Sequence, residues 1–521
     1  MTAFLPLRDL GKAGIAPDQL PFSLPPHAFT NAENVYFSHG RVGKSPGWEK
    51  FAFDVEVPFS EDQLWFQSWN NGGSTKTVFC GVTALTLWNG SAISTPTVDS
   101  PSLGSATSWS SAVFGDYAIV NNGISPPRHS GSGAAFTKLA GWEATFGAGA
   151  TCAGMVAYRG FLFAWGVNGD DYTYYWSDES PLNSFPTSWD YTDTTKLAGF
   201  DSVLADDGPI IGAKVLSNRL VIYTRFAAYS VTLGGQTVFQ QSRLFGMGLV
   251  APDAVIEYSN SHAVVGTSGI YTHQASVPVR MADNVIEQFM YSDMTTLGGV
   301  SSSHNEMEHE IAFLYPNSGN ANPRAAIFWS WLENTWTRMT FPFDVMRIDA
   351  SEQGDLLIDW DSITTTWDSE SRTWAEMLQT DPRRRMMMLG KRSWYTMDRG
   401  YKRATDAGDQ DYYAYAERLF LDLTSVLKSS VPYTAITAIY PRIRGVGKVN
   451  FQVGYSIGSN DAPTWTPAQQ YDCGVAGSFR VPVRTTGRWL HYRIGSWEGT
   501  PNTGWWELDG IDLEIVQEGP R

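Results

Sequence analysis

The sequence predicts an all-β protein, a β-propeller of about six or seven blades with a C-terminal β-sandwich. Many short runs of alternating apolar residues are separated by Gly, Asn, Asp and Ser turns, which is typical of hairpins. An aromatic strand that runs into a polar tip also recurs along the chain, as blades of one repeated unit would. This phrase occurs at Tyr172–Tyr191, Trp329–Met339, Trp367–Met377 and Leu85–Ser91.

Composition limits the possible class of protein. The 521 residues are too many for one compact core, and 49 Gly, 27 Pro and 14% aromatic residues favour a turn-rich β protein. A net charge of −16 argues against general nucleic-acid binding, because affinity for phosphate rises with the number of Lys and Arg contacts. We expect neither a secretory signal nor a membrane span, since no apolar run approaches the required length.

The chain divides into three predicted parts. Residues 1–50 form an extended arm that ends in a hairpin, with Gly40 supplying a positive φ at the turn. Residues 51–405 carry the propeller, in which turns at Gly115-Asp116, Arg159-Gly160 and Ser217-Asn218 join paired strands. Residues 406–521 form the sandwich. Periodicity alone leaves stacked β-sandwiches open as an alternative to the propeller.

A basic segment lies near the end of the predicted propeller. Between Arg383 and Arg403, eight basic residues face one acid, Asp398, so the local charge is +7 in an acidic chain. We expect this patch to contact DNA or an acidic partner, and an exposed charged strand edge without a specific role is equally compatible. Its members are Arg383, Arg384, Arg385, Lys391, Arg392, Arg399, Lys402 and Arg403.

No enzymatic signature stands out. On a strand, Glu306, Glu308 and Glu310 would share one face and could include a glycosidase-like carboxylate pair, although an acidic strand edge explains them more simply. Serine-hydrolase, nucleotide-binding and zinc-helix motifs are missing from the sequence. Three widely spaced cysteines favour buried thiols. We therefore expect no catalytic residue, metal or cofactor.

Three stretches together resemble the tail nozzle proteins of short-tailed (podovirus) bacteriophages, also called tail tubular protein B or tail stabilisation proteins. They span most of the chain and are structural phrases, none of them catalytic. They are NAENVYFSHGRVGKSPGWEKF from Asn31, YYWSDESPLNSFPTSWDY from Tyr174, and GRWLHYRIGSW from Gly487 with WWELDGIDLEIVQEGPR from Trp505.

The resemblance implies a structural virion protein. It implies a propeller protomer whose platform is built from N- and C-terminal segments, and a homohexameric ring below the adaptor and portal. Such a ring conducts DNA without sequence-specific binding, retains it before ejection and docks tail fibres or spikes. Assembly takes place in the host cytoplasm. An acidic bore suits this role, because many phosphate contacts would stall the passing DNA.

Two alternatives from other classes remain open at this point. One is a propeller glycan hydrolase that uses Glu306, Glu308 and Glu310, and the other is a tail protein that binds host glycans. Released sugar would favour the first alternative, and glycan binding by a monomer would favour the second.

Overall fold

Seven small antiparallel sheets close into a ring in the computed structural model. The structure describes residues 2–53, 55, 58–100, 102–181, 184–234, 238–352, 384–421, 423, 433–475, 479–500 and 504–518. The first strand of each sheet lies beside the first strand of the next, and the inner strand of the seventh lies beside that of the first. The all-β propeller is thereby confirmed, and the described residues form seven blades.

The first four blades follow one another along the chain. Blade 1 contains Gln63–Asn71, Ser74–Gly81, Leu85–Trp88 and Ile93–Ser94. Blade 2 contains Ser110–Phe114, Tyr117–Asn121, Arg128–Ser130 and Ala135–Lys138, with Thr97–Val98 added in parallel. Blade 3 contains Gly154–Tyr158, Phe161–Val167, Asp170–Trp176 and Gly199–Ser202. Blade 4 contains Ile210–Leu216, Arg219–Thr224, Ala228–Leu233 and Phe239–Phe245.

The last blade takes a strand from the N-terminal part of the chain. Blade 5 contains Val255–Tyr258, Ser261–Gly266, Gly269–His273 and Val279–Arg280. Blade 6 contains Ser301–Asn305, Glu310–Tyr315, Ala325–Ser330 and Thr335–Thr340. Blade 7 runs Val345–Glu352, Arg384–Gly390, Trp394–Met397, Trp48–Lys50, Arg403–Thr405 and Gly408–Gln410. The strand Trp48–Lys50 thus ties residues before blade 1 into the blade that closes the ring.

The predicted C-terminal sandwich is built from both ends of the chain and forms a platform of two sheets. One sheet contains Thr2–Leu7, Val35–Ser38, Arg41–Lys44, Tyr433–Val446, Val481–Gly487 and Trp505–Glu518. The other contains Asn31–Glu33, Tyr415–Leu421, Lys448–Ser456, Thr464–Trp465, Gln469–Asp472 and Trp489–Gly495. The first strand pairs with the last, from Thr2 opposite Val516 to Leu7 opposite Ile511.

The platform packs against blades 4, 5 and 6 through one continuous apolar core. Hydrogen bonds reinforce the contact with blade 6, where the Thr337 hydroxyl donates to the Val35 carbonyl over 2.6 Å. The structure describes the short α-helices Trp142–Phe146 and Glu287–Asp293, and 3-10 turns occur at Pro21–Ser23, Ala205–Asp207 and Leu297–Gly299. Asp18 of the N-terminal arm accepts the Gln288 and Phe289 amides, which binds the arm to the second helix.

The aromatic phrase at Tyr172–Tyr191 forms a strand in its first part only. Tyr172, Tyr174 and Trp176 alternate along the strand Asp170–Trp176, whereas Trp189 does not lie in a strand. Trp189 is buried and its ring lies 4.9 Å from that of Trp142 on the short helix. Its position is therefore set by burial against a helix rather than by a strand ladder.

Candidate functional site

A polar cavity of about 680 Å³ occupies the centre of the propeller. Residues from the first strands of the blades line it, because these strands surround the propeller axis. Its charged lining residues come from blades 4 to 7 and from the connection before blade 5. They are Lys214, Asp253, Glu257, Glu306, Arg347, Asp349 and Arg384.

Arg347 forms the centre of the charged lining. Its guanidinium carbon lies 3.5 Å from the centroid of the Trp65 ring, a cation–π contact between blades 7 and 1. The same guanidinium pairs with Asp253 at 3.7 Å and donates a hydrogen bond to Asp349. Burial raises the pKa of Asp253, while the neighbouring Arg347 opposes this effect.

A second ion pair lies towards the turn of blade 6. Arg384 contacts Glu306 at 3.6 Å, and both side chains are about half exposed. His304 lies on the adjoining strand, and burial lowers the pKa of its imidazole, so a neutral ring is favoured. The carboxylates of Asp253, Asp349 and Glu306 are paired with arginine, so these charges have a structural role. The remaining space of the cavity is suited to a small polar molecule. Among the described residues, no three His, Cys, Asp or Glu side chains are placed to hold a metal ion.

The predicted carboxylate row in blade 6 is wrong. Glu306 and Glu308 lie in the turn between strands Ser301–Asn305 and Glu310–Tyr315, so the three glutamates do not share one strand face. The turn begins where the Asn305 side chain accepts the Met307 amide, which favours a reversal over continued alternation. Glu310 instead lies near Asp398 of blade 7.

Glu310 has an unusual environment for a carboxyl group. Burial raises its pKa to about 8, with further contributions from the charges of Asp398 and Glu308. Burial and Glu308 also raise the pKa of Asp398, to about 6, although Asn305 donates it a hydrogen bond of 3.0 Å. The folded protein therefore binds protons here more tightly than the unfolded chain does.

Glu310→Gln is expected to stabilise the protein more at pH 8.5 than at pH 5. The pKa of the Glu310 carboxyl is higher in the folded protein than in the unfolded chain. The stabilisation that this carboxyl provides in the wild-type protein is therefore fully present below about pH 4.3 and is lost as the pH rises towards 8. Denaturation midpoints at both pH values measure the difference. Glu306→Gln, which removes an exposed and paired carboxylate, serves as the control. A Glu310→Gln effect that is the same at both pH values would contradict the raised pKa.

The basic residues near blade 7 do not form one exposed patch. Arg383 lies outside the described residues, while Arg384 and Arg385 begin the second strand of the blade. Lys391 pairs with Asp344 at 3.0 Å, and Arg392 pairs with Asp62 at 2.7 Å. These ion pairs offset part of the local positive charge.

The second half of the basic segment forms backbone hydrogen bonds with the start of the strand Trp48–Lys50. The Trp48 amide donates to the Lys402 carbonyl, and the Arg399 amide donates to the Gly47 carbonyl. A Cβ at Gly47 would lie 1.7 Å from the Lys402 carbonyl oxygen, so this close approach requires glycine. Contact of the segment with DNA or a partner stays a prediction.

Arg403 is buried, which corrects its place in an exposed patch. Its guanidinium donates to Asn34 Oδ1 at 2.6 Å and to the Thr340 carbonyl at 2.7 Å. It also lies 4.5 Å from the Trp48 ring centroid and 3.9 Å from that of Tyr412. Strand alternation places this side chain inward, and these partners offset the cost of burying its charge.

Arg403→Ala is expected to lower the free energy of unfolding by about 3 kcal/mol, because it leaves a cavity and two acceptors without their donor. Arg392→Ala removes an equal charge from the same segment at a half-exposed ion pair, and should change stability by less than about 1 kcal/mol. Urea unfolding of both variants compares them directly. Equal losses would contradict the buried role of Arg403.

Sequence reasoning singled out Glu306 and Arg384 but missed most of the other residues that line the cavity. Trp65, Lys214, Asp253 and Arg347 are far apart in the chain, and only closure of the ring brings them together. The thiols of Cys80 and Cys152 are buried, as the sequence predicted, and Cys473 is partly buried. No helix in the described ranges is long and apolar enough to cross a membrane.

Comparison with known proteins yields matches only to solved structures, since no family model and no curated protein matches the chain. A computationally designed protein, Ika8, is 8% identical with a TM-score of 0.39, covering 70% of this chain and 95% of its own. BBS1N, solved in complex with ARL6DN, is 9% identical with a TM-score of 0.38 and coverages of 68% and 96%. YCF48 bound to D1 peptide is 10% identical with a TM-score of 0.36 and coverages of 68% and 97%.

Proposed function

We propose that the chain is a structural subunit of the tail nozzle of a short-tailed bacteriophage. Copies of the chain assemble in the host cytoplasm into a ring of six below the adaptor and portal. The ring conducts DNA, retains it before ejection and docks tail fibres or spikes. In this role the protein acts through its shape and charge rather than through catalysis.

The platform is the observation that carries this proposal. The resemblance implied a propeller joined to a platform made from both ends of the chain. Here the two platform sheets draw strands from residues 2–44 and 415–518, and the first strand pairs with the last. This arrangement links two stretches of the resemblance, around Asn31 and around Trp505, in one structural unit.

The cavity inside one propeller is too small to be the DNA conduit, so the proposed conduit lies between copies of the chain. A cavity of about 680 Å³ is too small to hold a stretch of duplex DNA, whose major groove alone is about 12 Å wide. Duplex DNA therefore requires a wider bore, which a closed ring of protomers provides. With a net charge of −16 per copy, an acidic wall would keep the DNA mobile.

The outer face of the platform offers a surface for ring contacts. Phe4 and Phe479 are 62% and 67% exposed. Both rings lie close to Tyr440, with centroid distances of 5.6 and 6.3 Å. Exposed aromatic clusters of this kind are typical of subunit interfaces, because burying them removes much apolar area from water.

Light scattering of the purified chain tests the ring. We expect a mass near six times 57.6 kDa, alone or once the adaptor ring of the same phage is added. Phe4→Asp with Phe479→Asp should leave a folded protomer that does not assemble. Val277→Asp with Val279→Asp places equal charge at an exposed edge of blade 5 and should still assemble. Images of assembled tails with this protein as a single lobe off the tail axis would overturn the proposal.

A further inference from the structure

The outer edge of blade 3 carries half of the net charge of the chain. From Asp170 to Asp207 there are nine carboxylates and one basic residue, Lys196, which gives −8 of the total −16. This segment supplies the third and fourth strands of the blade and the connection between them. We name residues 170–207 the acidic edge.

Most of these carboxylates are not neutralised within the described part of the chain. Asp207 pairs with Arg243 at 2.7 Å, and Asp178 pairs with Lys196 at 3.2 Å. For the other seven, the described residues provide no ion pair: Asp170, Asp171, Glu179, Asp190, Asp193, Asp201 and Asp206. Hydrogen bonds from Thr192 and Thr195 lower the pKa values of Asp190 and Asp193, so both stay charged in mildly acidic solution.

An exposed aromatic cluster lies within the acidic edge. Tyr191 and Phe200 are 41% and 52% exposed, and their ring centroids are 5.2 Å apart. Tyr175 completes the cluster at 5.8 Å from Tyr191 and 5.7 Å from Phe200. A soluble protein rarely leaves several large aromatic rings together in water without a partner.

The same surface ends in a strand edge that is partly occupied. The Ser202 carbonyl accepts a hydrogen bond from Gln241 Nε2 at 3.2 Å, and the Ser202 amide donates to Asp201 Oδ1 at 2.8 Å, so an added strand would displace these two exposed side-chain bonds. The strand Gly199–Ser202 pairs with Asp170–Trp176 on one side and is the last strand of its sheet. A Cβ at Gly199 would lie 2.4 Å from the Trp176 ring, so this strand is held tightly on the blade. A short, fixed and exposed edge of this kind can receive one further strand from another polypeptide.

We propose that the acidic edge docks an extended, cationic polypeptide segment of a partner protein, which adds a strand to Gly199–Ser202. Apolar side chains of the partner pack on Tyr191 and Phe200, and its Lys or Arg residues face the unpaired carboxylates. Charge complementarity selects this occupant, because an acidic partner would be repelled and DNA even more strongly. The proposal does not depend on the nozzle ring, since blade 3 lies between blades 2 and 4, away from the exposed aromatic face of the platform.

Fluorescence anisotropy with a labelled twelve-residue peptide of alternating Lys and Val tests this docking on the full chain. We expect Asp171→Asn with Asp193→Asn and Asp206→Asn to weaken binding by about tenfold or more. The control removes three charges elsewhere, with Asp116→Asn, Asp409→Asn and Glu498→Gln, and should change binding by less than about twofold. Equal losses in both triple variants would mean that only the overall charge attracts the peptide, and would overturn the proposal.

Two further variants separate packing and strand addition from charge. Tyr191→Ala with Phe200→Ala should weaken binding, whereas Val277→Ala with Val279→Ala, which trims exposed side chains of blade 5, should not. A peptide with Pro at alternate Val positions lacks the backbone N–H donors at those positions and should bind poorly. Unchanged binding of the Pro peptide would exclude strand addition. If the chain does not form the hexameric ring but still binds the peptide, only the proposed nozzle function is overturned.

Discussion

Trp394→Ala is expected to lower the free energy of unfolding by about 3–5 kcal/mol, the range for removing a buried tryptophan. Trp394 is fully buried where blade 7 meets blade 1. Its ring centroid lies 4.9 Å from that of Phe51, 5.6 Å from Phe66 and 5.1 Å from Phe79. Since this cluster joins the last blade to the first, the substitution weakens the closure of the ring. Urea unfolding followed by circular dichroism measures the loss.

Trp394→Phe is the matched variant. The indole nitrogen of Trp394 is buried and has no hydrogen-bond partner among the described residues, so phenylalanine keeps much of the apolar contact and loses none of the described hydrogen bonds. We therefore expect a clearly smaller loss of stability than for alanine. If Trp394→Ala unfolds at the same urea concentration as wild type, the cluster does not contribute to closing the propeller.

Tyr223→Phe is expected to lower the free energy of unfolding by about 2–6 kcal/mol, although it removes a single oxygen atom. The Tyr223 hydroxyl lies 2.7 Å from His262 Nδ1 and 2.6 Å from His273 Nε2 in a fully buried site between blades 4 and 5. His262 Nε2 must donate to the Val215 carbonyl, and His273 Nδ1 must accept the Ala275 amide. The hydroxyl therefore donates to His262 and accepts from His273, and phenylalanine leaves both imidazoles unsatisfied.

Tyr258→Phe is the control, because within the described part of the chain its hydroxyl bonds the Thr272 hydroxyl alone, at a partly buried site, and should contribute about 1 kcal/mol. The hydrogen-bond network of Tyr223, His262 and His273 also makes a contribution to stability that decreases in acid. Burial lowers the pKa of His262 to about 3 and that of His273 to about 4. As the pH falls, these histidines bind protons in the unfolded chain before they do so in the folded protein, which favours unfolding. Their contribution to stability is therefore lost as the pH falls from about 6.5 towards 4. Equal losses for Tyr223→Phe and Tyr258→Phe would contradict the assigned network.

Local turn chemistry made most of the propeller predictable from sequence. The predicted turns at Gly115-Asp116, Arg159-Gly160 and Ser217-Asn218 each join two paired strands. Arg159 and Gly160 both adopt positive φ, as tight hairpins of this type require. Because such turns depend on residues that are adjacent in the chain, periodicity and composition were sufficient to find them.

Long-range pairing was not predictable in the same way. The strand Trp48–Lys50 lies in blade 7, and nothing in its three residues indicates a partner some 350 positions later. The cavity around Arg347 has the same origin, since its partners come from different blades. The charge of Arg403 predicted a surface position, but the structure shows that this side chain is buried. Only the assembled fold determines which polar residues face the propeller axis.

The pairing of the first strand with the last determines when the protein can finish folding. At roughly 5–20 residues per second, a ribosome takes about 25 seconds or more to reach Trp505 after Leu7 has been made. During that time Thr2–Leu7 has no partner, although the middle blades can already form. A polypeptide truncated shortly before Trp505 would lose the strand that joins both ends of the platform. The two ends of the platform can therefore join only after Trp505–Glu518 has been synthesised, long after the strand with which it pairs.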